Sequence, residues 1–206
     1  MDKELLTGRS EPRILRRGET ARGELTIRTF VEGLDVISDL TKIIQRAWGA
    51  HEEVDGPKFK QVRQTDEQTA ARVEHAEVLV AELDGMLVGL TAYYPPKDKR
   101  GSPPEAPPNA AYFPQDSTAE WGFMAIDPDA QGLGLSWEFY GAVEQLAAED
   151  GVAQMVGRVR QDTPAVHDLY RRMGFEDIGT IPGSTGDYTL ILISKGMTGG
   201  TPTVGQ

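Results

Sequence analysis

Apolar residues recur along the chain with two spacings, one typical of strands and one typical of helices. Alternation and short apolar runs predict strands at residues 25–30, 77–83, 86–94, 119–126, 152–159, 175–180 and 188–194. Apolar residues three and four positions apart predict helices at residues 36–48, 64–73, 132–149 and 164–172. This order, with helices interspersed among strands, predicts an α/β (α+β) protein.

Two places in this pattern also predict how the strands pair. The runs 77–83 and 86–94 are joined by Asp84-Gly85, a dipeptide typical of a tight hairpin turn. Residues 119–159 follow the order strand, helix, strand, which predicts a parallel pair with a right-handed crossover. The sheet is therefore expected to be mixed.

The regions outside this pattern set the expected domain limits. Residues 1–22 are polar and rich in arginine, so we predict a flexible arm. Residues 23–195 are expected to form one domain, and residues 196–206 a flexible tail. Within the domain, residues 95–116 hold seven of the thirteen prolines and are predicted to be a long loop, either mobile or covering a substrate site.

Composition narrows the function classes. The 206 residues include no cysteine, which excludes disulfides and an acyl-cysteine intermediate. A net charge of −11 argues against nucleic-acid binding and is compatible with amine-bearing partners, although acidity that serves only solubility remains an equal alternative. Because no apolar run is long enough to span a bilayer and the first residues are charged, we expect a cytoplasmic protein without membrane association.

A glycine turn between strand 119–126 and helix 132–149 is the strongest chemical signal. Gly132 and Gly134 allow a tight turn, and the next amides fall in the first turn of a helix, where they lack intrahelical acceptors. Such amides suit a phosphate or pyrophosphate, but glycines of this kind also serve simply to pack a strand on a helix. Walker and dinucleotide motifs are excluded, since the chain lacks Gly-Lys-Ser/Thr and has Trp137 in place of a third glycine.

Two motifs resemble those of the GNAT acetyltransferase superfamily. Gln131, Gly134 and Ser136 match motif A, Gln/Arg-x-x-Gly-x-Gly/Ala, except that Ser136 replaces the last small residue. Residues 169–175 match the later Leu-Tyr-x-x-x-Gly-Phe signature. The resemblance implies the GNAT fold, a twisted mixed sheet of about six to seven strands flanked by about four helices, with a splayed parallel pair at the coenzyme A site. It also leaves a homodimer open.

The resemblance implies acetyl-CoA, or a close acyl-CoA, as a co-substrate for acyl transfer. Backbone groups of the turn would hold the pyrophosphate, those of Met124 and Ile126 would contact the pantetheine and thioester, and Thr163 stands where many relatives have a cofactor-binding asparagine. The implied cofactor-binding residues are Met124, Ile126, Gln131, Gly132, Leu133, Gly134, Leu135, Ser136 and Thr163.

Two catalytic roles follow from the same resemblance. Glu120 lies where histone-acetylating relatives have their general base, with water or a loop carboxylate as the rival, and strand alternation places it on the side of Met124 and Ile126. Tyr170 matches the tyrosine that protonates the departing thiolate, although a tyrosine packed in the core is the simpler interpretation.

The leading hypothesis is therefore an N-acetyltransferase that moves an acetyl group directly to a primary amine in a ternary complex. The alternative is a non-catalytic acyl-CoA-binding sensor or scaffold domain. The acceptor stays open among small amines, amino acids, antibiotics, peptide N-termini and lysines. The acidic residues that follow His51 lack metal-ligand spacing, so no metal is expected.

Overall fold

Residues 11–55, 59–96, 117–183 and 187–197 are described by a computed structural model of the chain. The strands are Ile14–Thr20 (β1), Gly23–Thr29 (β2), Glu77–Leu83 (β3), Met86–Tyr94 (β4), Thr118–Ile126 (β5), Gln154–Arg160 (β6), Glu176–Pro182 (β7) and Thr189–Gly196 (β8). The α-helices are Ile37–Asp55 (α1), Asp66–His75 (α2), Leu135–Glu149 (α3) and Pro164–Arg172 (α4). Short 3₁₀ helices are formed by Lys60–Arg63 and Pro128–Ala130.

The sheet is mixed and has the strand order β1-β2-β3-β4-β5-β6-β8-β7. β5 and β6 are parallel, whereas the pairs β1–β2, β2–β3, β3–β4, β6–β8 and β7–β8 are antiparallel. The predicted fold class is confirmed, and the described part of the chain contains one strand more than the upper expected number.

The additional strand corrects the expected N-terminal arm. Residues 14–20 form β1, which pairs with β2 from Ile14↔Arg28 to Thr20↔Gly23. Leu15 is the single buried residue of β1, so the strand lacks the alternation that signals one in sequence. Arg16 fixes β1 by donating from Nη2 to the Gly141 carbonyl at 2.6 Å and from Nη1 to Gln145 Oε1 at 3.1 Å. Residues 1–10 lie outside the described ranges.

Two compact units make up the chain. The first contains the described residues up to Tyr93 together with Phe123–Gln145. Its core includes Ile27, Leu40, Ile44, Leu79, Leu90 and Phe139. The second contains the described residues of Tyr94–Gly122 and Leu146–Gln206, and its core includes Trp121, Met155, Tyr170, Phe175, Leu192 and Ile193.

Several predicted elements are found with altered ends. The hairpin has the predicted strands, and Asp84 (φ +49°) and Gly85 (φ +79°) form its left-handed turn. Helix α1 continues through Gly49 to Asp55 instead of ending near Gly49. Most of the proline-rich segment (residues 97–116) and the tail from residue 198 lie outside the described residues.

Gly89 shows how closely β4 packs in the first unit. A Cβ atom added at Gly89 would lie 3.1 Å from the Ala125 carbonyl oxygen and 3.2 Å from Phe139 Cε2. A side chain there would therefore force β5 and α3 away from β4. This close packing supports the end of β5, from which the glycine turn begins.

Candidate functional site

The turn before α3 has the backbone geometry that its glycines predict. Gly132 has φ +81° and Gly134 has φ +80°, and α3 begins at Leu135. In the described part of the chain, the five amides from Gly132 to Ser136 donate to no protein acceptor. They lie at the positive end of the α3 dipole. The turn therefore offers a set of hydrogen-bond donors for an anion.

Short hydrogen bonds fix the backbone that leads into this turn. The Asp127 amide donates to the Val88 carbonyl at 2.8 Å, which ties the end of β5 to β4. The Asp127 Oδ1 atom accepts from the Asp129 amide at 3.0 Å and so caps the 3₁₀ helix Pro128–Ala130. The Ala130 amide donates to the Asp127 carbonyl at 2.9 Å. The approach to the glycines is thus well supported.

Two arginine side chains from other parts of the chain bind the segment that precedes the glycine turn. Arg46, on α1, places Nη1 3.0 Å from Asp127 Oδ2 and Nη2 2.8 Å from Asp129 Oδ2. Arg22, between β1 and β2, donates from Nη1 to the Asp129 carbonyl. The hydrogen bond to Asp129, followed by the charge of Asp127, raises the pKa of the Arg46 guanidinium. Sequence reasoning missed these arginines because neither belongs to a motif.

Replacement of Arg46 by methionine is expected to weaken acetyl-CoA binding about 5-fold, because an exposed ion-pair network contributes modestly. Without this guanidinium, Asp127 and Asp129 lose the cation that pairs with them beside the turn. Calorimetric titration measures the change, with Arg63→Met, an exposed arginine of the other 3₁₀ helix, as the control. An unchanged dissociation constant in the folded Arg46→Met protein would contradict the positioning role.

Strand β5 is irregular at Phe123. This residue has φ +54°, a left-handed conformation that bulky side chains seldom adopt. Its ring lies under the Arg72 guanidinium, with 3.5 Å between the guanidinium carbon and the ring centroid. This conformation interrupts the regular alternation of side chains at one residue, and the placement of Glu120 on the side of Met124 and Ile126 remains a prediction.

The parallel pair β5–β6 is joined only at its beginning. The ladder pairs Thr118 with Gln154, Ala119 with Met155 and Glu120 with Val156, the first three residues of each strand. This short ladder agrees with the splayed pair expected from the sequence. Met124 and Ile126, farther along β5, are half-buried, and their contacts with a pantetheine remain a prediction.

Glu120, in the second unit, forms an ion pair with Arg158 of β6. Both Nε and Nη2 of Arg158 donate to the same atom, Glu120 Oε1, with Nε at 3.0 Å. The two side chains are 21% and 29% exposed, so solvent and small molecules reach the pair. The predicted base is therefore oriented by a cation that sequence reasoning did not identify.

Tyr170 is buried in an aromatic cluster of the second unit. Its ring centroid lies 5.1 Å from that of Trp121 and 5.5 Å from that of Phe175, both in edge-to-face geometry. Burial, and then the negative charge of Glu120, raise the pKa of Tyr170 well above its ordinary value. The phenol is thus protonated at neutral pH, as a proton donor must be.

Thr163 stands at the N-cap of α4, but its hydroxyl does not cap the helix. The Oγ1 atom donates to the Arg160 carbonyl at 2.8 Å, and the Thr163 carbonyl accepts the amides of Val166 and His167. Thr163 is buried. Its contact with a cofactor remains a prediction.

The structure thus brings the predicted residues together in two groups. The first unit gathers the turn, in which Gln131 is exposed, Leu133 and Ser136 are half-buried and Leu135 is buried. The second unit gathers Glu120, Thr163 and Tyr170. Among the described residues there is no cluster of three potential metal-ligating side chains, and no helix is long and apolar enough to cross a membrane.

Comparison with known proteins decides the family. The model of the acetyltransferase (GNAT) family matches residues 38–175, which include both motifs and the strands and helices between them. The chain belongs to the GNAT acetyltransferase family. Membership supports acetyl transfer as the general chemistry of this GNAT protein. No curated protein matches the chain.

Solved structures of GNAT enzymes share the fold. The ribosomal-protein-S18-alanine N-acetyltransferase from Escherichia coli is 18% identical, with 88% of this chain and 99% of that chain covered and a TM-score of 0.61. The PaiA N-acetyltransferase from Thermoplasma acidophilum, in complex with coenzyme A, is 12% identical, with coverage of 84% and 98% and a TM-score of 0.62. Ard1 from Thermoplasma volcanium is 15% identical, with coverage of 84% and 97% and a TM-score of 0.60. At these identities the likeness shows the fold alone.

Proposed function

We propose that this GNAT protein transfers an acetyl group from acetyl-CoA directly to a primary amine within a ternary complex. The observation that carries the proposal is the row of five amides, Gly132 to Ser136, without protein acceptors in the described part of the chain. A pyrophosphate matches such a row in charge and hydrogen-bonding capacity. Family membership and a coenzyme A complex among the structural neighbours support the same donor.

The proposed contacts with acetyl-CoA come from the glycine turn, from β5 and from Thr163. Backbone amides of Gly132, Leu133, Gly134, Leu135 and Ser136 would hold the pyrophosphate, and the exposed Gln131 side chain would add a contact. Backbone groups of Met124 and Ile126 would hold the pantetheine, and the Thr163 hydroxyl lone pairs would accept from it. When bound, acetyl-CoA supplies the activated acyl group.

The absence of cysteine supports direct transfer, because it removes an acyl-cysteine intermediate. An alkylamine is mostly protonated at neutral pH, since its pKa is about 10.4. Glu120 takes the proton, while Arg158 holds the carboxylate in place. The new N–C bond then forms at the acyl carbon and the C–S bond breaks, so that the sulfur leaves with its electron pair. The second proton of the amine nitrogen returns to the Tyr170 oxygen after Tyr170 has protonated the sulfur, and the amide product is neutral.

Tyr170 supplies a proton to the departing thiolate, whose conjugate thiol has a pKa of about 8.5. Burial, and to a lesser degree the charge of Glu120, raise the pKa of Tyr170. Once Glu120 has taken the amine proton, the smaller of these two causes is removed, while burial still keeps the pKa above its ordinary value. Proton uptake by Glu120 therefore favours the donation from Tyr170.

Replacement of Gly134 by glutamate is expected to raise the dissociation constant of acetyl-CoA at least about 100-fold, because a carboxylate would lie among donors meant for phosphates. Gly134→Ala is the matched control, since it carries the backbone strain of φ +80° without the charge and should change binding only a few-fold. Both proteins are compared with the wild type by calorimetric titration of acetyl-CoA.

The outcomes separate the competing functions. Equal binding by the wild type and the folded Gly134→Glu variant would overturn the donor site. If the wild type binds acetyl-CoA, Gly134→Glu does not, and the wild type releases thiol in the presence of amines, the results support the transferase. Binding without thiol release from any amine would favour the non-catalytic acyl-CoA-binding domain.

A further inference from the structure

The ion pair between Glu120 and Arg158 is asymmetric. Both guanidinium contacts, from Nε and Nη2, go to Glu120 Oε1. In the described part of the chain, Glu120 Oε2 and Arg158 Nη1 contact no further polar group. Each partner thus keeps hydrogen-bonding capacity for a second group, and both side chains are partly exposed.

The two remaining atoms have opposite chemistry and belong to side chains that contact each other. Oε2 is an acceptor that suits an ammonium or amine, and Nη1 is a charged donor that suits a carboxylate. A molecule that carries an amine beside a carboxylate would form hydrogen bonds with both side chains at once. A simple alkylamine would engage Glu120 and leave Nη1 without a partner.

Backbone packing holds the pair in place before any ligand arrives. Glu120 is paired with Val156 in the β5–β6 ladder, two residues before Arg158 on the same strand face. A Cβ atom added at the intervening Gly157 would lie 3.1 Å from the Trp121 carbonyl oxygen, so β6 approaches β5 closely at this point. The guanidinium is therefore presented from rigid strands, which lowers the entropic cost of binding.

We propose that Arg158 binds the carboxylate of the acceptor, and that the acceptor is an α-amino acid whose amine lies at Glu120. This inference rests on the proposed function, because it places the amine at the group that removes its proton. The net charge of −11 does not oppose such an acceptor, since a zwitterion carries no net charge.

A matched panel of acceptors tests the proposal through thiol release from acetyl-CoA. Each α-amino acid is compared with the amine that lacks its carboxylate: alanine with ethylamine, leucine with isopentylamine and phenylalanine with phenethylamine. The wild type is expected to favour the amino acid in kcat/KM by about 10- to 100-fold, the range of a hydrogen-bonded charge pair. Alaninamide, which keeps the carbonyl but not the charge, should behave like the simple amines.

Replacement of Arg158 by methionine should bring the ratio of the two kcat/KM values close to one. Any change in the basicity of Glu120 affects both acceptors of a pair, so the ratio isolates the carboxylate contact. Arg158→Lys should restore part of the ratio, because it keeps the charge but loses the planar fork. Arg17→Met, at an exposed arginine of β1, is the control and should leave the ratio unchanged.

The results distinguish this inference from the function on which it rests. Release of thiol with simple amines as fast as with amino acids, or a ratio that survives in Arg158→Met, would overturn the acceptor class and leave the transferase intact. Should Arg158→Met fail to fold, the wild-type panel and Arg158→Lys decide alone. No thiol release with any acceptor would overturn both.

Discussion

Replacement of Tyr170 by phenylalanine is expected to lower kcat by about 100-fold or more, while the dissociation constant of acetyl-CoA stays within about 2-fold of the wild type. The phenyl ring keeps the edge-to-face contacts with Trp121 and Phe175, so the aromatic cluster survives. What is lost is the hydroxyl that we propose as the proton donor to the departing thiolate. Steady-state kinetics at saturating acetyl-CoA, together with calorimetric titration, measure the two quantities.

Tyr140→Phe provides a matched control, since Tyr140 is also a buried tyrosine with a raised pKa, caused by burial and by its hydrogen bond to Glu144. It has no part in the proposed chemistry, so its removal should change kcat by less than about 3-fold. A wild-type turnover number in Tyr170→Phe would remove the acid role and leave Tyr170 as a core residue.

The coupling between Glu120 and Tyr170 gives the same kinetic series a second readout. In Glu120→Gln the proposed proton acceptor is lost, so the pH profile of the rate should shift toward alkaline values, where more of the amine is neutral. The glutamine also carries no charge, which removes one of the two causes that raise the pKa of Tyr170. An identical pH profile would assign the base role to another group.

Local signals explain what the sequence predicted well. Asp84-Gly85 codes for a left-handed two-residue turn by itself, so the hairpin and both its strands could be placed from a few residues. Gly132 and Gly134 likewise predict a backbone with positive φ, which other residues adopt only at an energetic cost, and both have positive φ in the structure. In these cases the residue type and its immediate neighbours determine the geometry.

Long-range contacts explain what the sequence did not predict. Strand β1 depends on Arg16, whose partners on α3 lie more than a hundred residues away in the chain. Arg46 is an ordinary polar residue of a helix until the fold places Asp127 and Asp129 beside it. The left-handed conformation of Phe123 is also imposed by its surroundings, because phenylalanine has no local preference for it. No sequence motif marks any of these features.

A buried charge cluster in the first unit also depends on contacts between distant residues. Its disruption should have the largest effect on the free energy of unfolding. Arg28 of β2 makes a bidentate pair with Asp35, at 2.8 and 2.7 Å, and Nη2 also donates to Glu82 at 2.6 Å. The Arg28 and Asp35 side chains are only 6% and 2% exposed. Asp35 Oδ2 further accepts the Val31 amide at 2.8 Å, which fixes the loop before α1.

Replacement of Arg28 by methionine is expected to lower the free energy of unfolding by about 3–5 kcal/mol, because it leaves the Asp35 carboxylate buried without its cation. Arg28→Met combined with Asp35→Leu should recover part of this loss, since the more deeply buried carboxylate is then removed as well. Recovery is incomplete because Glu82 still loses its cation and the Val31 amide loses its acceptor. Urea denaturation followed by circular dichroism gives the three values.

The exposed pair Lys42–Asp39 of α1 supplies the control. Its two side chains are largely in water, so Lys42→Met should leave the denaturation midpoint unchanged within error. Equal midpoints for Arg28→Met and the wild type would mean that the cluster orders the loop without stabilising the fold. Since this loop leads into α1, which carries Arg46, a local opening in Arg28→Met should also weaken acetyl-CoA binding in the protein that remains folded.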